Sequence, residues 1–427
     1  MGNKLFPKPA PTKPLPEDVW LARTDRSEAG REPFFFGRDA DYRVFRSAAT
    51  NLHAGVSGGG IIVFQGAPGA GKSALMLECM EAVKQHSTPH HPWAAVFVRP
   101  ATLISPADVV LDLINATNQE SKRLLRISPN GIAQKFNKLL KLGTRLYKEL
   151  SERGFSMAGL SAGGKAEISS PPDINITSSR IFSNAAPLLK KFRLVVFVDE
   201  AQNIPVTDAT QGVMDCLHNP PKEIPLMAVF FGLSNTLEVL RECGISRFAD
   251  ERAINLEPLS IADATNSLQY MLHTYYSGKD EEKALWARAL GELSQGWPQH
   301  MSRVGVAAGR VIRENKGHLQ EHLLDQALAK GGERKSDYCA GRLSAGSQDP
   351  HLYKQLARAA DDHRDGILSR KQLRHLAASA LEESQESFDD FLTNALRAGL
   401  LAPVTGLPFH YRFPIPSMSD YLRELPV

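Results

Sequence analysis

The sequence predicts an α/β fold built on a parallel sheet, followed by a helical segment and a small C-terminal unit. Three observations carry this. Short unbroken apolar runs at 61–64, 94–98, 194–198 and 226–231 alternate with helical stretches, as expected of strands buried on both faces. A glycine-rich octet follows the first run and opens a helical pattern. Beyond Leu259 the apolar runs give way to helical periodicity as far as about Lys330.

At 427 residues the chain is too long for one ordinary core, and four segments are expected. Residues 1–32 form an arm whose Pro7, Pro9, Pro11, Pro14 and Pro16 prevent helix. Residues 33–258 form the α/β core, 259–332 a helical lid and 345–427 a separate unit. Gly331 to Ser336 reads as a linker, and Gly154 to Asn175 as a hairpin or loop, because both are rich in helix-breaking residues.

Composition excludes several classes. The formal charge is only +3, so any surface for nucleic acid must be local. Cys79, Cys216, Cys243 and Cys339 lack ligand spacing and read as reduced core thiols. No apolar run reaches the roughly 20 residues of a membrane helix, and the first residues lack the apolar core of a secretory signal. A cytoplasmic location without membrane contact is expected.

Gly66, Ala67, Pro68, Gly69, Ala70, Gly71, Lys72 and Ser73, with Ala74 beyond, match the phosphate-binding loop (P-loop) pattern. The glycines let backbone N–H groups turn in around a phosphate. A helix N-terminus adds its positive dipole end. Lys72 is expected to reach the β- and γ-phosphates of ATP, and the Ser73 hydroxyl to bind Mg²⁺. Asp199 ends the third apolar run and is a second candidate ligand for Mg²⁺; Glu200 is the candidate general base. After the fourth run, Asn235 is placed to sense the γ-phosphate or orient water. Arg247, with Arg252 and Arg241 behind it, is the candidate to reach a neighbouring subunit's ATP; pairing with Asp250 or Glu251 is its alternative.

The order of these motifs resembles the AAA+ ATPases. The likeness is nearest to the origin-recognition and replication-initiator type, and to prokaryotic signalling, defence and transposition ATPases. Phe36-Gly37-Arg38-Asp39 resembles the family's N-terminal nucleotide-contact motif. Gly232-Leu233-Ser234-Asn235-Thr236 resembles its sensor-1 segment, and Ser246-Arg247-Phe248 its arginine-finger box. The resemblance implies nucleotide contact at Gly37 and Arg38, a five-stranded parallel sheet, and ATP at the interfaces of a homo-oligomer. It fails at the lid, where Gln299 and His300 stand in place of the expected sensor-2 arginine and Arg303 lies a turn further on; slow hydrolysis is the expected consequence.

In the C-terminal unit, helices at 352–360, from Ser369, and at 388–398, then a hairpin around Thr405-Gly406-Leu407-Pro408, predict a winged helix. Arg370, Lys371, Arg374, His375 and Arg412 are its candidates for DNA. Yet residues 334–427 hold 12 Lys/Arg against 12 Asp/Glu, so a protein partner is the alternative. A denser basic stretch comprises Lys122, Arg123, Arg126, Lys135, Lys138, Lys141, Arg145 and Lys148. Lys135, Lys138 and Arg145 share a helix face, which is either a solvated face or a surface for nucleic acid or acidic protein. Two functions follow: an ATP-dependent oligomeric switch that engages DNA, or a signalling or anti-phage defence ATPase whose winged helix and arm hold a protein. A threading motor is disfavoured because no aromatic pore loop is evident.

Overall fold

A computed structural model describes residues 37–54, 60–128, 130–159, 174–245, 252–315, 318–346, 349–363, 365–384, 386–404 and 407–425. The proline-rich arm, Phe36, the Ser246-Arg247-Phe248 box and Thr405-Gly406 lie outside them. The chain divides into two units. The described parts of Asp41–Gln65 and Met76–Ile254 make one, and those of Met1–Ala40, Gly66–Leu75 and Asn255–Val427 the other.

The sheet unit is built from α1 (Asp39–Ala54), β1 (Ile61–Gln65), α2 (Lys72–His86), β2 (Trp93–Val98), α3 (Pro106–Ile127), α4 (Asn130–Gly159), α5 (Ile174–Leu189), β3 (Arg193–Val198), α6 (Asp208–His218), β4 (Leu226–Gly232), α7 (Thr236–Glu242) and β5 (Ala253–Asn255). Its five strands lie in the order β2-β3-β4-β1-β5. β1–β4, β4–β3 and β3–β2 pair in parallel, as the unalternating runs required. One face carries Val63, Val96, Val196 and Phe230 against Val109, Leu113, Phe182, Leu189, Val213 and Leu217 of α3, α5 and α6. On the other, Phe64 stacks on Phe231 at 5.0 Å and Phe45 of α1 meets Phe197. Gln65 pairs with Gly232 and Val198 with Phe230, so β1, β3 and β4 end on one edge of the sheet. Asp199 follows β3 directly, as Gly66 follows β1.

Between β2 and β3 the chain inserts α3, α4 and α5. α3 and α4 are joined through Leu113, Leu124, Phe136, Leu139 and Leu146. Gly154 to Asn175, expected as a loop, is helical at both ends: α4 continues to Gly159 and α5 begins at Ile174. Extending a packed helix costs far less than starting one, so the breakers do not stop α4 where they begin.

The second unit contains α8 (Ile261–Tyr275), α9 (Asp280–Ser294), α10 (Pro298–Glu314) and α11 (Leu324–Gly346), closed over Leu268, Met271, Trp286, Leu290, Val304, Val311 and Ala327. Ser260 caps α8 by accepting from Asp263 N at 3.0 Å. The expected linker is wrong: Gly331 to Ser336 are the middle of α11. Buried Leu323 and Ala327 before the glycine pair, and buried Tyr338, Cys339 and Leu343 after it, outweigh the roughly 2 kcal/mol that two helical glycines cost.

α12 (Pro350–Asp361), β6 (Ile367–Ser369), α13 (Arg370–Ser384), α14 (Phe388–Ala398), β7 (Ala402–Pro403), β8 (His410–Arg412) and α15 (Met418–Glu424) follow. Three helices and an antiparallel sheet in the order β6-β8-β7 form the winged helix; β6 is the strand that sequence reasoning missed. Ser369 and Gln372 make a capping box: Ser369 N and Oγ donate to Gln372 Oε1 at 2.8 and 2.7 Å. Gly399 ends α14 at φ 71°. All four cysteines are buried free thiols.

A Cβ added at Gly332 meets nothing within 4 Å. Gly332→Ala should therefore raise stability to urea by about 1 kcal/mol, whereas no gain would contradict a continuous α11.

Candidate nucleotide site

The P-loop leaves β1 at Gly66 and enters α2 at Lys72. Gly69 and Gly71 take φ of 84° and 89°, where a side chain is strained. A Cβ at Gly69 would also lie 2.6 Å from Gln299 Cβ and 2.8 Å from Tyr338 Oη.

Every carbonyl from Gly66 to Ala70 accepts a hydrogen bond from this chain. Lys72 Nζ, buried, donates to Gly66 O at 2.8 Å and to Ala67 O at 3.0 Å. Tyr338 Oη donates to Pro68 O at 2.7 Å and the Gln299 amide to Gly69 O at 3.2 Å. The buried guanidinium of Arg38 donates to Ala70 O at 2.8 Å. Because a trans peptide points its C=O and N–H in opposite directions, the N–H groups of Gly69 and Gly71 face away from Tyr338 and Arg38. The N–H between them, of Ala70, closes a turn onto Ala67 O at 3.2 Å. Such a row of oriented amides at a helix N-terminus suits a phosphate.

The lid supplies no direct cation to this loop through Gln299, whose contact is its backbone amide. The guanidinium groups of Arg303 and Arg342 instead lie over the Tyr338 ring, 5.9 and 5.6 Å from its centre. His300 is fully buried with its ring edge-on to Tyr338 at 5.6 Å. Gly399 comes so close to Pro68 that a Cβ there would stand 2.0 Å from its Cδ. Tyr338 and Arg342 were not foreseen. Only their place on an unbroken α11, about half a turn and under two turns past the supposed linker, brings them to the loop.

In the sheet unit, Asp199 is 2% exposed at the end of β3. Its Oδ1 accepts from Glu200 N at 2.9 Å. Glu200 has a left-handed backbone, φ 55°. Gln202, which the sequence did not single out, donates from Nε2 to Glu200 Oε2 at 2.5 Å. Asn235 precedes α7 without capping it, and its Oδ1 is buried with no hydrogen-bond partner among the described residues. Arg252 packs against Gly60 at the start of β1, and Arg241 is exposed. Arg247 lies outside the described residues. Among those residues there is no cluster of three or more His, Cys, Asp or Glu able to hold a metal, and no helix is long and apolar enough to cross a membrane.

A P-loop after β1, the strand order β2-β3-β4-β1-β5, a helical lid and a winged helix are now all in place. This is the arrangement that the resemblance to the AAA+ ATPases implies. No protein-family model matches the sequence, and no curated protein does. Solved structures similar to this chain include the ORC2 protein of Aeropyrum pernix in ADPNP–ADP complexes, at 13% identity and a TM-score of 0.47, covering 99% of this chain and 96% of that one. The ORC1 protein of the same organism in complex with DNA has 11% identity, a TM-score of 0.43 and 96% coverage of both chains. A point mutant of RuvB from Thermotoga maritima has 13% identity and a TM-score of 0.40, covering 92% of this chain and 97% of that one.

Burial, and then the charge of Lys335, pull His300 down to about 3. The unfolded chain therefore takes up a proton below the ordinary histidine value of 6.5, and the folded chain does not until far lower pH. Stability is lost as pH falls through that window. The loss from this one group should be about 1 kcal/mol between about pH 7 and pH 5.5 by urea unfolding, and His300→Gln should remove that increment of the pH dependence.

Proposed function

We propose that the chain is an ATPase that binds ATP with Mg²⁺ at the P-loop, hydrolyses it, and uses it to assemble as an oligomeric switch that engages DNA. The observation that carries the nucleotide reading is the fully bonded row of carbonyls from Gly66 to Ala70. The Gly69 and Gly71 amides and the α2 N-terminus, through Lys72, Ser73 and Ala74, then face the phosphates. Lys72 exchanges two carbonyl bonds for the β- and γ-phosphates. Gly37 and Arg38 act from the outer side, Arg38 by bracing Ala70.

The Ser73 hydroxyl and the buried Asp199 carboxylate are hard oxygen donors of the kind Mg²⁺ prefers, and would hold it. The ion would supply charge neutralisation at the transferring phosphoryl group. Glu200 accepts the proton of the attacking water, Asn235 orients that water with its unpartnered Oδ1, and Arg247 of a neighbouring copy stabilises the charge that develops.

For DNA, the structure favours the α3–α4 hairpin over the winged helix. Lys122, Arg126, Lys135, Lys138, Lys141, Arg145 and Lys148 are all exposed, and Arg145 has Glu149 at 3.5 Å. In the winged helix, Arg370 donates to Asp389 at 2.6 Å, Arg374 lies 4.0 Å from Asp389, and both cover the Phe388 ring. Arg412 is paired with Glu257. Among the described residues, Lys371 and His375 are the two of its candidates without an ion pair. This neutralised surface, with Leu407 and Phe409 exposed at 45% and 66%, favours the second reading for that unit, a protein contact.

The test is sedimentation of the Glu200→Gln protein with ATP, with and without duplex DNA. Assembly with ATP, and DNA co-sedimentation that weakens steeply with salt, are expected; Lys72→Ala should show neither. Replacing Lys135, Lys138 and Arg145 by Glu should remove DNA and leave ATP-driven assembly. Assembly that ignores DNA would leave the protein-partner reading.

A further inference from the structure

We infer that Gln202 is a positioning residue for hydrolysis: its single amide fixes the Glu200 carboxylate and ties it to the turn after β4. The inference rests on the reading of Glu200 as the base that accepts the water's proton.

Glu200 begins a short 3₁₀ turn, Ala201–Asn203, in a left-handed conformation that a non-glycine residue adopts only when its surroundings impose it. The backbone is held by Asn203 N donating to Glu200 O at 2.8 Å, and by Glu200 N donating to Asp199 Oδ1 at 2.9 Å. The side chain is held by Gln202 alone among these groups. Its Nε2 donates to Glu200 Oε2 at 2.5 Å. Its Oε1 accepts from Leu233 N, just beyond β4, at 2.9 Å.

The chemistry fixes the direction of this bridge. Leu233 N can only donate, so Gln202 must turn its oxygen there, and its NH₂ is left for the carboxylate. The bridge needs room at Gly232, where a Cβ would stand 2.8 Å from Gln202 Oε1 and 2.1 Å from Thr236 Oγ1. A glycine therefore closes β4, and the amide crosses where a side chain would be.

Two consequences follow. A carboxylate fixed at one oxygen keeps the other in a defined direction, which a base needs to take a proton from a positioned water. The turn that carries Leu233 also carries Asn235, the candidate for orienting that water. One rigid amide thus registers the base against the group that places its substrate.

The test uses the full chain and initial rates of ATP hydrolysis for the unsubstituted protein, Gln202→Ala, Gln202→Glu, Glu200→Gln and the double variant Gln202→Ala with Glu200→Gln. Gln202→Ala should lower kcat by roughly tenfold or more while KM stays within about threefold, because only the base is disturbed. Gln202→Glu keeps the acceptor for Leu233 N but faces Glu200 with a like charge, and should lose more. The double variant should be no slower than Glu200→Gln alone, since Gln202 acts through Glu200. An unchanged kcat in both Gln202 variants, a fall in ATP affinity that accounts for the loss, or additive losses in the double variant would overturn the inference while leaving the ATPase reading intact. An unsubstituted chain without turnover, or Glu200→Gln turning over normally, would overturn both.

Discussion

The five carbonyl oxygens from Gly66 to Ala70 have nowhere to turn but toward donors of the same chain, and the site depends on that. Lys72, Tyr338, the Gln299 amide and Arg38 each hold one or two of them. Each bond is worth about 1 kcal/mol, but their effect is geometric. A peptide whose oxygen is held cannot rotate its N–H away from an incoming phosphate. Preorganisation of this kind lowers the cost of ordering a loop at the moment of binding. Lys72 differs from the other donors. Its two bonds are to carbonyls that a phosphate would outcompete in charge, so it can leave the loop's backbone for the ligand.

The same loop is joined to the lid helix α11 and to the end of α14. Tyr338 sits on a helix whose first half packs in the lid and whose second half carries it to Pro68. Gly399, at the end of α14, also closes on Pro68. A change at the P-loop is therefore felt by the lid and by the winged helix through two separate contacts. Under the proposed function, nucleotide bound at the loop would act on both parts through these contacts. The winged helix pairs Arg370 with Asp389 and Arg412 with Glu257, whereas Lys122, Lys135, Lys138 and Lys141 of the α3–α4 hairpin are exposed.

Much of the fold was legible because its signals are local. Buried parallel strands show as unbroken apolar runs, and the caps at Ser260, Ser369 and Gly399 act within a turn. The P-loop was legible because eight adjacent residues carry it. What was missed depends on distance. Tyr338 meets Pro68 across a separation of 270 residues, and nothing near Tyr338 announces it. The misread linker at Gly331 has the same origin: propensity favoured a break, and burial on both sides of the pair overrode it. Gln202 stood in plain view beside Glu200, but its role needs Leu233 and the missing side chain of Gly232, which only the sheet brings together. The neutralised winged-helix arginines were half visible, since the acids near the start of the third helix could be counted but not paired.

The measurement that bears most directly on the central claim is hydrogen exchange of the unsubstituted chain with and without Mg²⁺ and ATP, alongside the binding stoichiometry. The account predicts one ATP per chain and slowed exchange at the amides of Gly66, Ala67 and Gly69 to Ala74, above all Gly69 and Gly71. Saturable ATP binding with those amides unprotected, or no binding at all, would contradict it.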